Sequence, residues 1–149
     1  MKIVIQKVLE ANVKVNQEVV ASIKQGYLLF VGVTDSDNEE IADKLAKKVM
    51  ELRIFEDEFN KMNLAISQFD YEILSVSQFT LYANCSRGRR PSFDKASKAE
   101  VSKPIYDYFN QRLIHYGAKL KTGIFQEDMK VSLVNDGPCT IILDSEDLC

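Results

Sequence analysis

Apolar and polar residues alternate from the start of the chain. Met1-Lys2-Ile3-Val4-Ile5-Gln6-Lys7 opens with a pattern close to period two, which predicts a half-buried strand over residues 3–8. The same reasoning predicts strands over 12–15 and 19–23. Residues 27–33 form a nearly continuous apolar run punctuated by Gly26 and Gly32, which predicts a strand covered on both faces. The period then lengthens. Ser36-x-x-Glu39 has capping-box spacing, and Ile41, Leu45, Val49 and Leu52 recur at three- and four-residue intervals, predicting an amphipathic helix. Residues 55–60, with three consecutive acids, read as a solvated turn, because a calcium loop needs alternate ligands and a glycine at a set place. Strand character returns over 71–81. A second helix is predicted from Ser97-x-x-Glu100 to Tyr116, with Gly117 as its stop. Strands over 119–125, 131–134 and 140–143 complete the chain. Strands segregated from two main helices predict one α+β domain over residues 1–149, built on a curled, barrel-like sheet.

Composition narrows the function classes. A chain of 149 residues can bury a core unaided. No apolar run reaches the roughly 18 residues of a membrane span, and the opening alternation is not a signal peptide's apolar block. No membrane partner and a cytoplasmic address are expected. The net charge of −3 argues against a protein that coats nucleic acid, since such binding requires many neutralised phosphates. It leaves room for one local basic spot. Cys85, Cys139 and Cys149 form no C-x-x-C pair, so neither a thiolate metal site nor a disulfide framework is expected; no other constellation of residues would hold a metal tightly, and metal dependence stays open. His115 is the single histidine, late in a helix, where a cation is favourable for dipole reasons alone. A histidine-based triad is therefore not expected.

Three segments stand out for chemistry. Ser75-Val76-Ser77-Gln78-Phe79-Thr80-Leu81-Tyr82-Ala83 carries polar residues inside a strand-like run; Ser77 and Thr80 would fall on opposite faces of a regular strand. An ordinary half-buried strand would also look like this. Val134-Asn135-Asp136-Gly137-Pro138-Cys139-Thr140 is a strong turn signal between apolar strands and, as a plain hairpin, needs no function. Arg87-Gly88-Arg89-Arg90 concentrates three guanidinium groups, which match phosphate geometry, in an acidic chain. A solvated basic loop is the plain alternative.

Together these segments are more specific. Ser77-Gln78-Phe79-Thr80-Leu81 and Asn135-Asp136-Gly137-Pro138-Cys139-Thr140 resemble the two signature motifs of the D-aminoacyl-tRNA deacylase family. Ile3-Val4-Ile5-Gln6-Lys7-Val8, Leu52-Arg53-Ile54-Phe55 with Lys61-Met62-Asn63-Leu64, Gly88-Arg89-Arg90-Pro91-Ser92-Phe93 and Met129-Lys130-Val131-Ser132-Leu133-Val134 extend the resemblance over almost the whole chain. Cys139 stands where the family commonly has valine, and Ser102 where a small apolar residue is expected near the pocket.

The resemblance implies a homodimer with active sites at the subunit interface and no cofactor. It implies hydrolysis of the ester joining a D-amino acid, or achiral glycine, to the acceptor end of tRNA. Gly137-Pro138, held cis, would enter the partner's pocket, where rigid backbone carbonyls hold the α-amino group and exclude an L side chain. Thr80, Gln78 and Phe79 would form the catalytic loop. Ser77, Leu81, Phe125 and Met129 would shape the substrate pocket, and Arg87, Arg89 and Arg90 would meet the tRNA. Thr80 is attractive as a nucleophile by position, yet no histidine is available by sequence to activate it. The reading preferred here has the substrate's 2′-hydroxyl helping water, with backbone N–H groups near Phe79 and Thr80 stabilising the oxyanion. A non-catalytic module for RNA or DNA ends, and a structural dimer with an interface hairpin, are the alternatives.

Overall fold

The structure is a computed structural model that describes residues 1–148; Cys149 lies outside the described residues. The first strand, β1 (Lys2–Val15), is the spine of the sheet. One of its edges pairs antiparallel with β3 (Gly26–Gly32) at the start and with β2 (Glu18–Ile23) at the end. β8 (Lys130–Asp144) follows β1 along its length. Two predicted strands, 3–8 and 12–15, are thus one continuous element. The alternation fails at Val8-Leu9-Glu10 because the pairing with β8 shifts there, and an irregular register puts Leu9 and Glu10 both at the surface.

β3 continues the sheet in parallel with β6 (Glu72–Ser77), and β6 in parallel with β7 (Lys119–Thr122). At Gly26 (φ +155°) an added Cβ would lie 1.7 Å from the Glu72 carbonyl oxygen, so the parallel pair closes only around glycine. Between β3 and β6 lie helix α1 (Glu39–Glu51) and a small hairpin of β4 (Phe55–Glu56) and β5 (Met62–Leu64). The predicted solvated turn is this hairpin's connection. The Asp57 carboxylate accepts from the N–H groups of Phe59 and Lys61 and from Asn63 Nδ2.

The helices adjust the sequence reading at their starts. α1 is capped by Asn38, whose Oδ1 accepts from Ile41 N at 3.0 Å; Ser36 lies in the preceding turn. Asn38 wins because it is the residue adjacent to the first helical turn. α2 (Ala99–His115) starts after Lys98, and Ser97 gives its hydroxyl to Asp35 Oδ1 at 2.7 Å rather than capping the helix. A short α3 (Ser145–Leu148) closes the described chain. There the Met1 ammonium, fully buried, reaches Asp37 Oδ1 at 2.5 Å and Ser145 Oγ at 2.7 Å.

Two apolar clusters explain the coverage of β3. Ile3, Ile5, Tyr27, Leu29 and Ile73 meet the buried stripes of α1 (Leu45, Val49) and α2 (Phe109, Leu113) on one face. On the other, Val8, Val13, Leu28, Leu74 and Val76 pack inside the curl of the sheet. Each large side chain fully buried in this way contributes about 1.5–3 kcal/mol. The result is a single α+β domain with a nearly closed sheet, as the periodicity implied. No helix among the described residues is long and apolar enough to cross a membrane.

Candidate active site

Parallel strands β3 and β6 end side by side, with Val31 opposite Ser77. The chain cannot continue the ladder there. Gln78 donates its N–H to Val31 O at 2.8 Å, and Phe79–Tyr82 then coil into a 3₁₀ turn. This corrects the strand predicted over 71–81, and with it the idea that Ser77 and Thr80 sit on opposite faces of one strand. The 3₁₀ turn arises where β3 runs out of partners and Leu81 closes over Gly32, at which an added Cβ would lie 3.1 Å from Leu81 Cβ. Crevices at the carboxyl ends of parallel strands are common ligand sites.

A pocket of about 280 Å³ opens at this place. Ser77, Gln78 and Phe79 form one wall, Phe125 and Met129 another, and Ser102 and Tyr106 of α2 a third. Six residues singled out in the sequence, Ser102 among them, therefore converge although more than 40 positions separate Phe79 from Phe125. Thr80 and Leu81 follow in the same 3₁₀ turn without lining the pocket. Ser97 and Tyr106 were missed. The i, i+4 spacing of Ser102 and Tyr106 puts both on one helix face, but Tyr106 belongs to an apolar stripe and reads as core. No Lys or Arg lines the pocket, whereas Glu127 and Asp128 do.

Several polar groups around it are engaged. Tyr106 Oη donates to the Ser75 carbonyl at 3.0 Å and pairs with Ser75 Oγ at 3.1 Å; burial raises this phenol above its ordinary pKa. Gln78 Nε2 donates to Thr80 Oγ1. In the 3₁₀ turn the first internal bond is Leu81 N–H to Gln78 O, which leaves the N–H groups of Phe79 and Thr80 without a partner among the described residues. Phe79 is 57% exposed and meets Phe93 edge-on at 5.1 Å. His115 is exposed in the last turn of α2 against the Tyr116 ring and does not line the pocket. Thr80 has no imidazole beside it.

The second motif departs from the hairpin expected of it. Val8 of β1 faces Asn135 and Gln6 faces Thr140, so β8 continues through the motif and Asp136, Gly137, Pro138 and Cys139 bulge opposite Lys7. The turn chemistry is real, but continuous pairing with β1 on both sides prevents the chain from reversing. Asn135 clamps the bulge: its Nδ2 donates to the carbonyls of Lys7 (3.1 Å) and Cys139 (2.9 Å), while its Oδ1 accepts from Cys139 N (3.1 Å). The side chain of Lys7, itself buried, lies 4.0 Å from the Asp136 carboxylate. The Gly137-Pro138 peptide bond is cis. Both residues are exposed, and neither lines the pocket of its own chain.

The arginines lie on a loop closed by Asn84 and Ser92, which exchange backbone hydrogen bonds of 2.7 and 2.9 Å. Arg87, Arg89 and Arg90 are all exposed, and no ion pair engages them among the described residues.

Comparison with known proteins bears on what this arrangement is. The model of the family described as D-Tyr-tRNA(Tyr) deacylase matches residues 4–144. A D-aminoacyl-tRNA deacylase of Geotalea daltonii is 52% identical over 145 residues, which cover 97% of both chains. Among solved structures, a c-Myc DNA unwinding element binding protein superposes with a TM-score of 0.91 at 35% identity, covering 97% of this chain and 98% of its own. A probable eukaryotic D-amino acid tRNA deacylase superposes with a TM-score of 0.84 at 16% identity, over 95% and 97% of the two chains, a likeness of fold. With both motifs in place and the match running from the first strand to the last, the chain belongs to the D-Tyr-tRNA(Tyr) deacylase family.

Proposed function

We propose that the protein hydrolyses the ester bond of D-aminoacyl-tRNA, and of achiral glycyl-tRNA mischarged on tRNA for alanine, in the cytoplasm. The observation that carries this reading is a pocket without lysine or arginine next to a turn whose Phe79 and Thr80 N–H groups have no partner among the described residues. The pocket suits a neutral nucleoside, with Phe125 and Met129 against the terminal adenosine. The N–H groups suit an oxyanion. Water attacks the ester carbonyl carbon, and the substrate's neighbouring 2′-hydroxyl orients it and relays its proton. The negative charge that develops on the carbonyl oxygen is held by the two N–H groups. The tetrahedral intermediate then expels the ribose 3′-oxygen, which takes up the proton. Gln78 holds Thr80, and Ser77 and Leu81 shape the turn.

Chirality is read by a second copy of the chain. Gly137 and Pro138 are exposed at the surface of a strand that is otherwise paired to β1, and they do not line the pocket of their own subunit. In the proposed homodimer they enter the partner's pocket, where their carbonyls hold the α-ammonium and leave no room for an L side chain. A clash against clamped backbone discriminates more strongly than a preference between apolar side chains. Arg87, Arg89 and Arg90 contact the acceptor end.

The test is release of amino acid from D-tyrosyl-tRNA and L-tyrosyl-tRNA by purified protein. Release from the D substrate alone is expected; equal release of both would overturn the chiral role of Gly137-Pro138. The name of the 35%-identical structure gives a second reading, a module that binds nucleic-acid ends without catalysis. Binding without turnover of either substrate would establish that one.

A further inference from the structure

Among the described residues, one buried hydroxyl in the pocket is left over, while that of Ser77 sits on a half-buried residue. Ser97 and Tyr106 give their hydroxyls to protein partners, and Gln78 gives its Nε2 to Thr80. Ser102, in the first turns of α2, has no hydrogen-bond partner for its Oγ among the described residues. The residue is only 8% exposed, so bulk water does not account for it. Nor is the oxygen sealed in protein: the unpaired side-chain oxygens fully enclosed are those of Asn12, Tyr27 and Asn110. Ser102 lines the pocket, and the remaining direction for its Oγ is the pocket itself. Val31, Val33, Val76 and the rings of Tyr106 and Phe125 line the same pocket. These flat or apolar surfaces suit the faces of an aromatic base. The geometry points to Ser102 as a specificity-determining residue whose Oγ hydrogen-bonds the edge of the adenine base. This rests on the reading of the pocket as the terminal-adenosine site. A phosphate is a poor alternative, since no cation lines the pocket and Glu127 and Asp128 do. A hydroxyl serves as donor to a ring nitrogen and as acceptor from the exocyclic amine, so the atom it meets is identified by analogues.

The experiment is a cycle of Ser102→Ala against base analogues, using D-tyrosyl esters of adenosine, purine riboside, 3-deazaadenosine and 7-deazaadenosine. For the adenosine ester, Ser102→Ala is expected to raise KM about tenfold, with kcat within about twofold of the parent. Alanine suits a helix, so Tm should not fall. One analogue, lacking the atom Ser102 meets, should show the same rise with the parent protein and no further rise with Ser102→Ala. An unchanged KM for Ser102→Ala, or losses that add for every analogue, overturns the assignment. If none of the esters is hydrolysed, the deacylase reading fails separately. The same cycle is then run as calorimetric binding of the free nucleosides, where equal affinities of parent and variant for adenosine overturn the role of Ser102.

Discussion

Thr80 shows why position is not enough to make a nucleophile. It follows directly on the residues that line the pocket, yet its Oγ1 accepts a hydrogen bond from Gln78 Nε2 and no imidazole stands by to take its proton. An alcohol without a base is a poor nucleophile at neutral pH. Its backbone is better placed, because the N–H groups of Phe79 and Thr80 are free. Thr80→Ala keeps that N–H and is therefore expected to retain single-turnover deacylation of D-tyrosyl-tRNA within about tenfold of the parent. A covalent role would instead bring a loss of several orders of magnitude. The hydroxyl that matters in this account belongs to the substrate. A D-tyrosyl-tRNA ending in 2′-deoxyadenosine should be cleaved at least about a hundredfold more slowly. A normal rate on that substrate, together with inactive Thr80→Ala, would return the chemistry to Thr80.

The bulge in β8 works as an element. Asn135 ties its two ends to each other and to β1, and Gly137 (φ +156°) has no space for a Cβ, which would lie 2.5 Å from Cys139 N. Asn135→Ala leaves the Cys139 N–H and the Lys7 and Cys139 carbonyls without these bonds, and is expected to cost about 2–3 kcal/mol by denaturant unfolding. Its effect on D-tyrosyl-tRNA turnover should be larger than a stability loss explains, with a fall of about a hundredfold in kcat/KM while the variant stays folded; turnover at the parent rate would show that the clamp does not position the site. This is also where the sequence was hardest to read. Asn-Asp-Gly-Pro has every local property of a turn, and only pairing with β1, more than 120 positions away, makes it a bulge in one strand. The end of β6 misled for a similar reason: Phe79, Thr80 and Leu81 suit a strand, and it is the loss of a partner after Val31 that coils them. The helices and the doubly covered β3 were legible because their periodicity records burial directly. Ser77, Gln78, Phe79, Phe125 and Met129 were found through the family resemblance, whereas Tyr106, hidden in a core stripe, was not.

At the scale of the molecule, charge is distributed so that two features respond to the medium in opposite ways. Where α1 and α2 meet, Asp43 accepts from Arg112 Nε at 2.5 Å and from Tyr116 Oη at 2.8 Å. The hydrogen bond from Arg112, helped by that from Tyr116, holds its carboxyl below the ordinary range. A carboxyl depressed by folding stabilises the native state above its unfolded pKa, about 4, and loses that contribution as pH falls through the lower folded value. Asp43→Asn should therefore lower Tm by about 2 °C at pH 7 and converge on the parent toward pH 2; a constant gap across that range would mean the ionised form contributes nothing. The arginine loop is the opposite case, cations without carboxylate partners among the described residues, on a chain of net charge −3. If Arg87, Arg89 and Arg90 meet the acceptor end, few counterions are released on binding. The plot of log K against log salt for tRNA should then have a slope of about −1 to −3. Replacing all three by glutamine should bring the slope close to zero, because the pocket itself offers no cation. A slope near −8 (on the order of ten phosphates) would require a basic surface far larger than this loop. Retention of the parent slope by the glutamine variant would move the RNA to lysines elsewhere on the sheet.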